Sequence, residues 1–126
     1  MATKDMKNDI NVEPALLPVA VTTGSTNGLD VDTRGFETVT LVGQADNAFV
    51  GTFTIQEGDS TTAYSNAAAD DVIGTNGAAS VASDIITLGY TGSKRYVRVV
   101  VDCSTGGDAA ASFILGQPHV CKTGAN

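Results

Sequence analysis

The 126-residue chain has no tryptophan, one histidine, two cysteines and three prolines. Each scarcity removes a class of function. Aromatics make up 6% of the chain, which leaves few of the broad faces on which sugar-binding platforms are built. His119, Cys103 and Cys121 are too few for a tetrahedral zinc centre unless carboxylates join them. The two cysteines lack CxxC spacing and make no disulfide framework. Seven basic residues stand against fourteen acidic ones, and the net charge of -7 argues against direct nucleic-acid binding, which needs Lys and Arg to displace counterions from phosphates. No segment reaches the roughly 18 to 20 consecutive apolar residues of a membrane helix, so no membrane partner is expected. The first eleven residues hold Lys4, Asp5, Lys7 and Asp9 and no apolar h-region. Synthesis and folding in a reducing cytoplasm is therefore the expectation.

Charged residues are also scarce, at 17%, and Ala, Thr, Gly and Val fill much of the remainder. Such a surface suits burial against partners more than solitary life in water. Period-two alternation, the strand signature, recurs along the chain. In Glu37 to Val42 the residues Val39 and Leu41 share a face; in Phe49 to Glu57 Phe49, Phe53 and Ile55 do so. Further strands are expected at Thr61 to Tyr64, Ser83 to Tyr90, Arg95 to Cys103 and Ala111 to Gly116. Pro14 and Pro18, which lack backbone donors, bracket an extended stretch suited to a sheet edge. Thr22 to Gly28 reads as a loop, Ser65 to Gly74 as a loop or one short helical turn, and Thr75 to Ser80 as turn-rich. The expected fold is all-β: a compact antiparallel β-sandwich or partly closed β-barrel of about seven strands. Residues 1–14 form a flexible N-terminal arm in this reading, 15–121 the single β domain and 122–126 a C-terminal tail.

Two hairpins are expected. One joins Glu37–Val42 to Phe49–Glu57 through Asp46-Asn47. The other joins Arg95–Cys103 to Ala111–Gln117 around Gly106-Gly107. The second would hold Cys103 and Cys121 roughly 20 to 30 Å apart at about 3.3 Å per residue, beyond the reach of a disulfide. Free thiols are expected.

No catalytic constellation emerges. A nucleophile, a base and an orienting group must lie within hydrogen-bond reach, and His119 beside Cys121 near the C-terminus lacks the rest. Asp30 and Asp32, two apart, offer at most a weak cation site, and neither they nor Asp70-Asp71 fit a calcium loop. Gly24 and Gly28 lie in a turn without the ending of a phosphate loop. The chain is expected to be no enzyme and to need no cofactor or metal. Lys94, Arg95 and Arg98 form the single basic cluster. Alternation sets Arg95 and Arg98 on opposite faces of their strand, and a salt-bridging patch is their functional reading.

The run Val31-Asp32-Thr33-Arg34-Gly35-Phe36-Glu37-Thr38-Val39-Thr40, then Gly51-Thr52-Phe53-Thr54-Ile55-Gln56-Glu57-Gly58-Asp59, then Gly89-Tyr90-Thr91-Gly92-Ser93-Lys94-Arg95-Tyr96-Val97-Arg98 resembles small capsid-associated proteins of tailed double-stranded DNA bacteriophages and prophages. The resemblance spans Leu29 to Pro118, and the GYTGSKRYVR segment is its most distinctive part. The Cys103 and Cys121 pair departs from the pattern. The resemblance implies a decoration, cement or stabilisation protein on the outer face of a capsid, made in the host cytoplasm. The partner is then the major capsid protein, and a homo-oligomer, with a trimer favoured, would staple neighbouring subunits. The candidate interface residues are Leu16, Leu17, Arg34, Lys94, Arg95 and Arg98. Arg34 is either an ion-pair partner of Asp32 or Glu37 or an interface anchor, and Phe36 is assigned to the core. The competing roles are a head-completion, head-tail connector or tail component, and a virion-borne host-surface or glycan-binding module.

Overall fold

The computed structural model describes residues 6–79 and 85–118. The alternating segments do become strands, and the long ones each bury one row of β-branched, leucine or aromatic side chains; the segment expected over Thr61 to Tyr64 starts as a turn, and its strand, Ala63–Asn66, buries none. In chain order they are β1 (Ile10–Val21), β2 (Gly24–Asn27), β3 (Val31–Asp32), β4 (Phe36–Ala45), β5 (Val50–Ser60), β6 (Ala63–Asn66), β7 (Val72–Ile73), β8 (Ala78–Ala79), β9 (Ile85–Tyr90), β10 (Tyr96–Thr105) and β11 (Gly107–Pro118). Two antiparallel sheets pack as a sandwich, one of them partly curled into a half-barrel. Eleven strands stand among the described residues where about seven were expected. The additions, β2, β3, β7 and β8, are four residues long or shorter, too short for alternation to register. Thr22 to Gly28, read as a loop, contains β2. Ala69–Asp71 forms the short helical turn expected as one option for that region.

The first sheet has the order β1-β11-β4-β9-β7; the second runs β2-β10-β5-β6, with β3 also on β10 and β8 also on β5. All pairings are antiparallel. With β2 and β3 taken as one interrupted strand, the pairs nest: first with last (β1–β11), then β2/β3–β10, β4–β9 and β5–β6. This is the wrapping of a jelly roll. Both expected hairpins are absent, because β4 and β5 lie in different sheets, as do β10 and β11. Those connections are corners that carry the chain across the core. At one of them Asp46 Oδ1 accepts from the N–H groups of Ala48 (3.0 Å) and Phe49 (3.1 Å), turning the chain so that Phe49 plugs the end of the sandwich. The two corners pack together: Asp46 N–H donates to Asp108 O at 2.9 Å. A Cβ on Gly107 would run into Asp46 Oδ1 and stand 2.6 Å from the backbone N of Phe49, so only glycine permits that approach.

Between the sheets lie Phe49, Phe53, Phe113, Leu41, Ile55 and Leu88, each almost fully buried. Phe49 and Phe53 meet in a tilted pair with centroids 5.9 Å apart. Phe36 packs partly buried against this core. No polar or charged residue is classed as buried among the described residues. The core is therefore held by apolar area, at roughly 25 cal/mol per Å².

The first strand begins inside the stretch expected as a flexible arm. Ile10 to Pro14 pair with Gly116 to Ser112. Strand β1 is an edge, as its prolines predicted, and its register shifts between Pro14 and Leu16 and again between Leu16 and Val19. The loop after β2 closes this side: Gly28 N–H donates to Val99 O in one sheet and Leu29 N–H to Ala15 O in the other, both at 2.7 Å. On the opposite side Asn76 completes the edge of β5 in the gap between β6 and β8. Its Oδ1 accepts from Ile55 N–H at 2.7 Å, and its Nδ2 donates to Ile55 O and Ala67 O at 3.1 Å each.

Candidate functional site

The basic cluster gathers on the outer face of the second sheet, at the end where β3, β5, β6 and β10 meet. Antiparallel register sets Arg98 opposite Gln56 and Tyr96 opposite both Asp32 and Gly58. Arg98 Nε donates to Gln56 Oε1 at 2.9 Å, and its guanidinium lies 4.3 Å from the centroid of the Tyr64 ring. Tyr64 hydroxyl donates to Asp30 Oδ1 at 2.7 Å, and Gln56 Nε2 to Asn66 Oδ1 at 3.0 Å. Beside them Arg95 grips Asp32 with two bonds of 3.1 and 2.8 Å and stacks over Tyr96 at 4.9 Å. Lys94 pairs with Asp59 at 2.9 Å.

Strand parity had set Arg95 and Arg98 on opposite faces. Arg95, however, lies in the bend before β10 starts at Tyr96, so pleating does not fix its direction. Its side chain swings to Asp32, and both guanidiniums end on one surface. Thr33 hydroxyl donates to Arg95 O at 2.7 Å and anchors the bend.

The electrostatics follow the pairing. The Arg95 hydrogen bonds hold Asp32 below the usual carboxylate value, against a smaller opposing effect of burial and with help from the Arg34 N–H. Asp32 in turn raises Arg95, and Asp59 raises Lys94. Burial, followed by the bond to Asp30, pushes the Tyr64 phenol above its ordinary value. The hydrogen bonds and ring contacts orient Arg95, Arg98 and Tyr64. Oriented arginine and tyrosine planes are the groups that carry binding energy at protein interfaces, since ordering them costs little on contact.

The other candidate interface residues scatter. Leu16 is 7% exposed and belongs to the core, whereas Leu17 is 58% exposed. Adjacent residues of a strand face opposite ways, so period two already parts the pair; what alternation could not foretell is the register shift that buries both Ala15 and Leu16. Leu17 joins Val19 and Leu29 in a shallow apolar groove of about 250 Å³ along the β1 edge. Arg34 is exposed on the turn before β4, and its backbone N–H, at 3.0 Å, is its bond to Asp32. The carboxylate's ion-pair partner is Arg95, not Arg34.

Asp30 and Asp32 are turned to different partners, Tyr64 and Arg95. Among the described residues no three His, Cys, Asp or Glu side chains are grouped to hold a metal. His119, Cys121 and the tail 122–126 lie outside the described residues. Cys103 is a buried free thiol whose Sγ donates to Thr105 O at 3.0 Å. At the far end of the same sheet Ser25 hydroxyl bonds Asp102 in an open hollow of about 470 Å³.

Tyr64 and Gln56 escaped the sequence reading as site residues, and Asp30 was read as half of a weak cation site rather than as the acceptor of the Tyr64 hydroxyl. Gln56 shared the polar face of its strand with Thr52 and Thr54, a signal that marks a solvent face without naming its neighbours. Tyr64 and Asp30 are brought there by tertiary wrapping. Protein-family models, curated proteins and solved structures were all compared with the chain, and none matches it.

Proposed function

We propose that the chain is a structural virion protein that binds the outer surface of a phage capsid and cements neighbouring major capsid protein subunits. One observation carries this reading. The segment Gly89–Arg98, the most distinctive part of the phage resemblance, supplies Lys94, Arg95, Tyr96 and Arg98 to the oriented arginine–tyrosine face. A cement protein works by repeated burial of area rather than by chemistry, so several contacts per copy together supply what one standard interface of about 1,600 Å² would. The jelly-roll frame supports the role by holding Tyr96, Arg98, Gln56 and Tyr64 on strands, with Lys94 and Arg95 in the bend that leads into β10.

Cryo-electron microscopy of the particle that carries the chain tests the proposal. Density repeating at local three-folds or across capsomer joints, with the Arg98 face against the shell, is the expected result. The double substitution Arg95→Ala/Arg98→Ala should then lower occupancy while the fold persists. Density at a single vertex or on the tail would replace cement by a connector or tail role. Absence from the particle would overturn the virion reading and make a glycan screen the next step.

A further inference from the structure

The opposite broad face of the sandwich has a different chemistry. On the first sheet Leu41, Leu88, Phe113 and Leu115 point into the core, so the alternate residues face out. One outward row crosses all five strands as Val12, Ile114, Thr40, Gly89 and Ile73. The next row holds Pro14, Ser112, Val42 and Thr87, and another holds Ala110, Gln44 and Ile85. None of these residues is charged. Val12 (54%), Ile73 (67%) and Ile85 (61%) are largely exposed. Charge returns at the two rims, with Asp46 and Asp108 together beyond Ala110 and Glu37 beside Thr38 at the other end.

We infer that this face pairs with the same face of a second copy about a two-fold axis. Three considerations select that occupant. First, at about 4.8 Å between strands and roughly 3.3 Å per residue, about seven residues each of β1, β11 and β4, the six of β9 and the two of β7 present close to 460 Å² per copy. A pair covers about 920 Å² before side-chain relief is counted, and the exposed Val12, Ile73 and Ile85 raise that toward the roughly 1,200 Å² at which stable interfaces begin. Second, a partner surface here must itself be uncharged, because an ion pressed against it would lose its hydration without gaining a counter-charge. The outer face of the second sheet, with Asp32, Arg98 and Asp102, fails that condition. Its uncharged counterpart is this same face on another copy. Third, two-fold pairing makes the patch meet itself and keeps the -7 charge of each copy at the rims and on the far sides. Short side chains such as Thr40, Gly89, Ala110 and Ser112 let two sheets approach to the usual packing distance of about 10 Å.

The pairing is independent of the capsid reading, since it leaves the arginine–tyrosine face outward on both copies. Sedimentation equilibrium of the purified full-length chain should give the mass of a dimer. Thr40→Glu and Thr87→Glu each bring like charges together across the axis and should raise the dissociation constant by roughly tenfold or more. Arg98→Ala, on the other face, should leave the dimer intact. A wild-type monomer at about 100 μM, a trimer, or a dimer indifferent to both glutamates would overturn the pairing. The wild-type mass decides the matter even where a glutamate variant fails to fold. A monomer whose particle binding is lost in Thr87→Glu would assign the face to the capsid instead.

Discussion

Asn76 offers the sharpest test of how the edge of the second sheet is held. Its amide takes the place of a missing strand residue beside Ile55, whose side chain is fully buried. Asn76→Ala leaves Ile55 N–H without its 2.7 Å partner and Ala67 O without its 3.1 Å donor, while Ile55 O keeps the N–H of Ala67. An orphaned donor in such a place costs about 1 to 3 kcal/mol, and a weakened acceptor adds about 1 kcal/mol. The expected loss is thus about 2 to 4 kcal/mol. At about 2.1 cal/mol/K of unfolding entropy per residue, a loss of about 3 kcal/mol over 126 residues lowers Tm by roughly 11 °C. Thermal and urea unfolding followed by circular dichroism measures both figures. Asn76→Asp separates the acceptor from the donors: it keeps Oδ1 for Ile55 but aims a carboxylate at two carbonyl oxygens. Those carbonyls raise its folded pKa. The variant should therefore be at least as unstable as Asn76→Ala near neutrality and recover as the pH falls and the acid regains a donor. A loss under about 0.5 kcal/mol in Asn76→Ala, or an aspartate variant as stable as wild type at pH 7, would refute the edge-completion argument.

Phe49→Ala should cost about 3 to 5 kcal/mol in urea unfolding, because the plug at the sandwich end and its contact with Phe53 vanish together. Asp32 contributes stability present above its unfolded value of about 3.9 and lost as the pH falls through its depressed folded value. Both partners of this ion pair are more than two-fifths exposed, so Arg95→Ala should change stability little in urea unfolding, and high salt should erase the difference. Tyr90 is pushed above the ordinary phenol value by burial and by its 2.8 Å bond to Glu57. Its contribution is complete below about pH 10 and fades as the pH rises toward the folded value. Phenolate absorbance should show Tyr64 and Tyr90 resisting ionisation until the fold opens, and Tyr90→Phe should flatten the alkaline loss of stability.

Alternation made the long strands legible because a half-buried strand must place an apolar side chain at every second position. Val97, Val99 and Val101 announce β10, and Phe113 and Leu115 announce β11. Partnership was not legible, because period two is satisfied equally by a hairpin neighbour and by a strand across the core. Gly106-Gly107 looks like a hairpin turn in sequence, yet it serves a corner whose glycine is required by the contact with Asp46. The same limit governed the candidate site. Arg95 and Arg98 were visible as cations, but Tyr64 and Asp30 reach them only through the wrap that brings β6 and the loop before β3 to β10.

That wrap also explains why the two broad faces differ. In a jelly roll, strands distant in sequence become sheet neighbours, so a face is assembled from alternate residues of segments that no local window sees together. The outward positions of β1, β11, β4 and β9 each avoid charge for only a few residues, which by itself signifies nothing. Joined by the registers Val12–Ile114–Thr40–Gly89, the same short avoidances become one continuous uncharged surface. On the second sheet the equivalent outward positions gather Asp32, Gln56, Tyr96 and Arg98. A chain selected only to fold would have no reason to sort its few charges so unevenly, since both outer faces meet the same water. Two faces of opposite character on one rigid frame suit two kinds of contact, an oriented polar one and a flat uncharged one, which the proposed capsid contact and the proposed self-pairing would use separately.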